Sequence, residues 1–224
     1  MTDGTEATAR ARAARARAFL ACATEVARLL GIEDDGQGTD PRRARHLAGR
    51  SRKPLRESAG LPERFFVPLM AAAVADPDPS FCGWFVEPAL YSFGRRRVLA
   101  ALVEYLRSGT DAERAGALRA WYWAGVPLSA DRSPAYAPNG TRDPALDASR
   151  GLREAWLEAL LRGYGEATDP RLRHQVLYWL PDARESYPSR LHDLLDRTLG
   201  LARTDPDADH RRWAARMDRA GSEG

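Results

Sequence analysis

Four histidines (His46, His174, His192 and His210), two cysteines (Cys22 and Cys82) and thirty-one carboxylates are the groups in this chain that could bind a metal or move a proton. No histidine stands four residues from another histidine or from a cysteine, so no helix turn offers a ready pair of metal ligands. A zinc site would have to be assembled wholly through tertiary contacts; the local sequence predicts no metal and no cofactor. The glycines of Glu33-Asp34-Asp35-Gly36-Gln37-Gly38 lack the lysine and hydroxyl of a phosphate cradle. The same run fails the alternating acidic pattern of a calcium loop. No serine sits in a G-x-S-x-G turn, so the strained nucleophile of that hydrolase class is missing. Carboxylate pairs such as Asp193 and Asp196 read as charges on solvated helix faces. No catalytic set emerges.

Arginines and aromatics are placed more suggestively. On a helix starting at Asp111, Trp121 and Tyr122 share the side of Ala115 and Leu118, whereas Trp123 falls on another side, four residues after Arg119. On a helix starting at Asp169, Leu172, Val176, Trp179 and Leu180 form the apolar side. Arg171, His174 and Tyr178 line a different one. Arginine and aromatic side chains are favoured at binding hot spots, so Arg119, Trp123, Arg171, His174 and Tyr178 are candidate partner-binding residues. The competing reading packs Trp123 and Tyr178 between neighbouring helices. Arg95-Arg96-Arg97, following Gly94, is a candidate anion-binding run at an exposed helix start, against the plainer reading of one ion-paired arginine and two solvated ones. His210 shares a side with Trp213 and Met217 and reads as a histidine at the edge of the core. Both cysteines read as small buried hydrophobes.

The frame that carries these residues is ordinary in size and composition. With 224 residues and 44% apolar content the chain can bury a core without a disulfide or structural metal. Lys53 is the one lysine among 34 basic residues, and alanine fills 39 positions. Both biases follow from GC-rich coding and point to a high-GC bacterium, so arginine abundance is no sign of phosphate binding. Residues 1–60 carry 12 basic and 8 acidic side chains, residues 61–130 carry 7 and 7, and residues 131–224 carry 15 and 16. The basic excess is confined to the first sixty. On a helix, Arg10, Arg12, Arg15 and Arg17 surround the axis and make no stripe, and that stretch holds no apolar core of a secretory signal. No window is long and apolar enough to span a bilayer. The expectation is a cytoplasmic protein with no membrane partner, whose N-terminal helix docks through Phe19, Leu20, Val26, Leu29 and Leu30.

Punctuation supplies the organisation. Asp-Pro occurs six times, and aspartate followed by proline suits a helix start. Taking Asp40, Asp76, Asp111, Asp169 and Asp205 as equivalent marks, the intervals are 36, 35, 58 and 36 residues. The long interval contains the Pro-rich stretch 125–147; without those residues a period of about 35 remains, the length of a two-helix repeat. Val98, Leu99, Leu102, Val103 and Leu106 recur at helical spacing, as do Leu152, Trp156, Leu157, Leu160, Leu161 and Tyr164. No segment alternates as a half-buried strand does. The chain is predicted to be all-α.

The piece Leu160-Leu161 followed by Thr168-Asp169-Pro170-Arg171-Leu172-Arg173 resembles the junction of HEAT-type helical repeats: a leucine-rich second helix, then Asp-Pro, an aliphatic residue and an arginine. The resemblance implies an α-solenoid of about four helical hairpins after an N-terminal helix. Residues 1–38 would form that helix and an acidic, Gly-rich linker. Residues 39–224 would form the repeat domain, with an inserted loop at 125–147. Proteins of this kind usually grip a macromolecule along one surface, so the expected function is a non-catalytic interaction module (scaffold, regulator or inhibitor) with another protein as partner. The second reading is nucleic-acid binding, including the HEAT-like DNA glycosylases for alkylated bases, which the chain resembles in fold and size. A duplex-binding groove should collect arginines along several repeats; residues 61–224 do not. Tyr136, in mid-loop, joins Trp123 at the loop's base as a candidate partner-binding residue.

Overall fold

The acidic marks turn out to do two different jobs. The computed structural model describes residues 3–58, 60–129, 132 and 148–220. These hold ten α-helices and no strand: α1 (Asp3–Leu29), α2 (Asp40–Glu57), α3 (Phe66–Ala75), α4 (Gly83–Phe93), α5 (Arg95–Ser108), α6 (Asp111–Ala124), α7 (Arg150–Glu166), α8 (Pro170–Trp179), α9 (His192–Arg203) and α10 (Ala208–Ala220). The all-α expectation holds. Three marks open helices as expected. Pro41 occupies the first turn of α2. Asp169 caps α8 by accepting the Arg171 N–H at 2.9 Å. At α6, Thr110 and Glu113 form a reciprocal box, the Thr110 N–H donating to Glu113 Oε2 at 2.8 Å and the Glu113 N–H to Thr110 Oγ1 at 3.4 Å.

At Asp76 and Asp205 the expectation fails. Both stand in the sequence Asp-Pro-Asp, and the second aspartate takes over the turn: Asp78 accepts from the Ser80 N–H and Asp207 from the Asp209 N–H. The first aspartate is thereby released to face inward, where Asp76 is 0% and Asp205 8% exposed. A buried carboxylate needs a cation and N–H donors. Arg45 gives Asp76 two bonds, at 3.0 and 2.6 Å, and Arg173 reaches Asp205 at 3.1 Å. A second arginine clamps each mark's carbonyl oxygen, Arg119 at Asp76 and Arg211 at Asp205.

Two compact units divide the chain, one of residues 1–102 and 119–148, the other of residues 103–118 and 149–224. In the first, α1 pairs with α2 and α3 with α4; α1 then stacks on α3 and α2 on α4. In the second, α7 pairs with α8 and α9 with α10, with α7 stacked on α9 and α8 on α10. Both are stacked helical pairs, in which each amphipathic helix buries its stripe against a partner and a neighbour. Phe19, Ala23, Val26 and Ala27 of α1 are buried, so α1 belongs to the first unit's core. Phe19 and Phe85 meet edge to face there. The second core gathers Trp156, Leu160, Tyr164, Leu172, Val176, Leu195 and Trp213. No helix among the described residues is long and apolar enough to cross a membrane.

Candidate functional site

With Asp76 and Asp205 placed in register, the two Asp-Pro-Asp turns differ at one telling position. Trp84 and Trp213 both stand eight residues on, and Arg45-His46 matches Arg173-His174. Five residues on, however, the first turn has Phe81 and the second has His210. In the first unit the Arg45 guanidinium lies 4.5 Å from the Phe81 ring centroid and 5.1 Å from that of Phe19. It is an apolar lid over an ion pair.

In the second unit the ring is polar and almost wholly buried, His210 being 2% exposed. Its Nδ1 lies 2.6 Å from the Tyr164 hydroxyl and 3.5 Å from Asp205 Oδ2. His174, one turn into α8, brings its Nδ1 within 3.5 Å of Asp207 Oδ2, and its ring lies 5.8 Å from that of His210. One donor atom from each of His174, Asp207 and His210 falls within 4.8 Å of the others; among the described residues no other three side chains of metal-binding type gather so closely. Burial lowers the His210 pKa against the opposing pull of Asp205 and Asp207, so the ring favours its neutral form. Burial also pushes Asp205 up, but the Asp207 N–H, Arg173 and His210 outweigh it and hold the carboxyl below its ordinary range. The Asp209 N–H does the same for Asp207. Burial and the Asp205 charge raise the Tyr164 hydroxyl, which stays protonated.

Beside this cluster runs an open groove of about 320 Å³. Leu177 and Leu180, both nearly buried, contribute its apolar surface, and His174, Asp209 and the Arg216–Asp182 ion pair line it too. Tyr178 stands on its lip, 85% exposed. Of the candidate partner-binding residues, Arg171, His174 and Tyr178 do share the exposed side of α8, away from buried Leu172 and Val176.

Arg119 and Trp123 are occupied within the first unit. Arg119 Nη2 donates to Asp76 O at 3.0 Å, and Trp123 Nε1 donates to Pro79 O at 2.8 Å with its ring against Gly83. Tyr136, like residues 133–147 of the inserted loop, lies outside the described residues. Of the arginine run, Arg95 donates to the carbonyls of Ala124 and Val126, Arg97 pairs with Glu63 and lies over the Phe66 ring, and Arg96 is exposed. Cys82 is fully buried, which pushes its thiol up to about 12.

Comparison with family models, with curated proteins and with solved structures found no match. Sequence reasoning missed the gathering of His174, Asp207 and His210, because 36 residues separate the two histidines. A signal existed: the Arg-His pair and the Asp-Pro-Asp triplet each occur twice, with 31 residues from Arg45 to Asp76 and 32 from Arg173 to Asp205.

Proposed function

We propose that this chain is a non-catalytic interaction module of HEAT type, a scaffold, regulator or inhibitor that grips another protein along the exposed side of α8. The observation that carries the reading is Tyr178. A tyrosine left 85% exposed beside a groove of mixed polar and apolar lining has no part in the core, and rigid aromatics of this kind anchor protein interfaces. Arg171 and His174 flank it with donors, and the groove offers both charge signs around Leu177 and Leu180. The links from Arg45 of α2 to Asp76 before α4, and from Arg173 of α8 to Asp205 before α10, also support the HEAT-type reading. Duplex nucleic acid is the poorer occupant, because Arg173, Arg184, Arg190, Arg203 and Arg216 of this unit are each paired with a carboxylate. Neutralised arginines release few counterions.

A photo-cross-linking amino acid placed at Tyr178, and separately at the 68% exposed Val67 of the first unit, tests this in the source cell with and without nuclease. A discrete protein adduct specific to position 178 and indifferent to nuclease is the expected result. Identical products at both positions, or an adduct that nuclease abolishes, would refute it.

A further inference from the structure

We propose that His174, Asp207 and His210 bind a divalent transition metal, zinc in the first instance, at the edge of the α8 groove. Two imidazoles and one carboxylate are a donor set suited to such an ion, which takes three protein ligands and leaves a fourth position open. This inference does not depend on the partner-binding reading.

The matched turn in the first unit shows what the frame needs for stability alone. There the buried arginine–aspartate pair is covered by Phe81, and no polar ring is required. Replacing that phenyl by a buried imidazole introduces two ring nitrogens that must be satisfied. Nδ1 of His210 is satisfied by Tyr164 and Asp205. In the tautomer that carries its proton on Nδ1, Nε2 would be the nitrogen offered to a metal. A ring N–H that donates to a neighbouring oxygen is the usual outer support of a metal-bound histidine, and the tautomer with its proton on Nδ1 would find that oxygen in Tyr164, with Asp205 next to it. Asp205 is itself held by Arg173 and by the Asp207 N–H, so this support is rigid.

The other two ligands can adjust. Side chains of His174 and Asp207 are about half exposed. Asp207 uses Oδ1 to cap the Asp209 N–H and keeps Oδ2 toward His174, as a one-oxygen ligand would. Metal–nitrogen bonds of about 2.0–2.1 Å require donors roughly 3.3 Å apart in a tetrahedral site. The His174–Asp207 pair is already at 3.5 Å. The remaining donors lie no more than 4.8 Å apart, a gap that rotation of the exposed His174 and Asp207 side chains can close.

The full chain, freed of any histidine tag and stripped with chelator, is titrated with Zn²⁺ by calorimetry and with Co²⁺ by visible absorption. The expected result is a single equivalent bound, a cobalt spectrum of low-symmetry nitrogen and oxygen ligation, and a melting temperature that rises with metal. His174→Ala and Asp207→Asn should each weaken binding at least about tenfold, since even outer-shell losses cost about 10–100-fold. Both positions are exposed, and asparagine can keep the helix cap. His46→Ala, the matched histidine of the first unit, should change nothing. His210→Phe, which copies Phe81, should abolish binding; if it fails to fold, the two exposed variants decide. Absence of stoichiometric binding, or binding that His174→Ala and Asp207→Asn leave unchanged, or that His46→Ala weakens equally, would overturn the proposal.

Discussion

Gly83→Ala should destabilise the first unit although alanine is normally the better helix former. A Cβ built on Gly83 would meet the Trp123 indole at 2.6 Å from Cδ2, 2.8 Å from Cε3 and 2.9 Å from Cε2. The ring cannot retreat without cost, because Nε1 is anchored to Pro79 O at 2.8 Å. Overpacking of this kind costs about 1–3 kcal/mol, and loss of the indole hydrogen bond adds roughly 0.5–1.5 kcal/mol. Better helix propensity returns at most about 1 kcal/mol, and less in a first turn. A net loss of about 2 kcal/mol is expected, read as a lower urea midpoint or a melting temperature lower by roughly 4–8 °C. The decisive arm is the double variant. In a Trp123→Ala background the same glycine substitution should be neutral or stabilising, so its sign reverses. If Gly83→Ala is neutral in the wild-type background, or equally harmful without Trp123, Trp123 does not pack as described.

Three further outcomes follow. Tyr178→Ala should leave stability within about 0.5 kcal/mol, since the side chain is solvated, while abolishing the partner adduct; a large fall in melting temperature would show that the ring is structural. In chelator, stability should decline as pH falls from about 7 to 5, because the unfolded histidine protonates near 6.5 while folded His210, among Tyr164, Asp205, Asp207, His174 and Arg173, resists protonation. His210→Phe should remove that slope, whereas the loss at lower pH, as Asp111 and Asp205 protonate through their depressed values, should persist. Random duplex DNA should bind weakly near physiological salt; submicromolar affinity with a steep salt dependence, measured by fluorescence anisotropy, would overturn the pairing argument.

Capping was the legible part of the sequence because it is local. Thr110 and Asp169 bond backbone within three residues and Pro41 sits in a first turn, and each opens a helix as read. Asp76 and Asp205 look identical to them until the following Pro-Asp is weighed, because what decides their role is an arginine 31 or 32 residues earlier. Periodicity likewise placed His210 beside Trp213 and Met217, all three now buried. It could not supply Tyr164, 46 residues upstream, which gives the ring its polar partner. Trp123 shows the opposite limit: its position on the wheel leaves open what it faces, and only the fold puts Gly83 and Pro79 there.

Asp111 accepts from the N–H groups of Thr168 and Asp169, joining the start of α6 to the start of α8. Arg173 of α8 then joins Asp205, whose carbonyl is gripped by Arg211 of α10. In the second unit, the starts of α6, α8 and α10, every second helix, are therefore tied to one another. Stacked hairpins held by nearest-neighbour packing alone can fray from an end, one pair at a time. Here release of α10 would also uncover Asp205 and cost Arg173 its carboxylate partner. Amide hydrogens of α8 and α10 should accordingly exchange as one cooperative group rather than in sequence from the C-terminus. A protein that bends to meet its partner would have to move these three helix starts together.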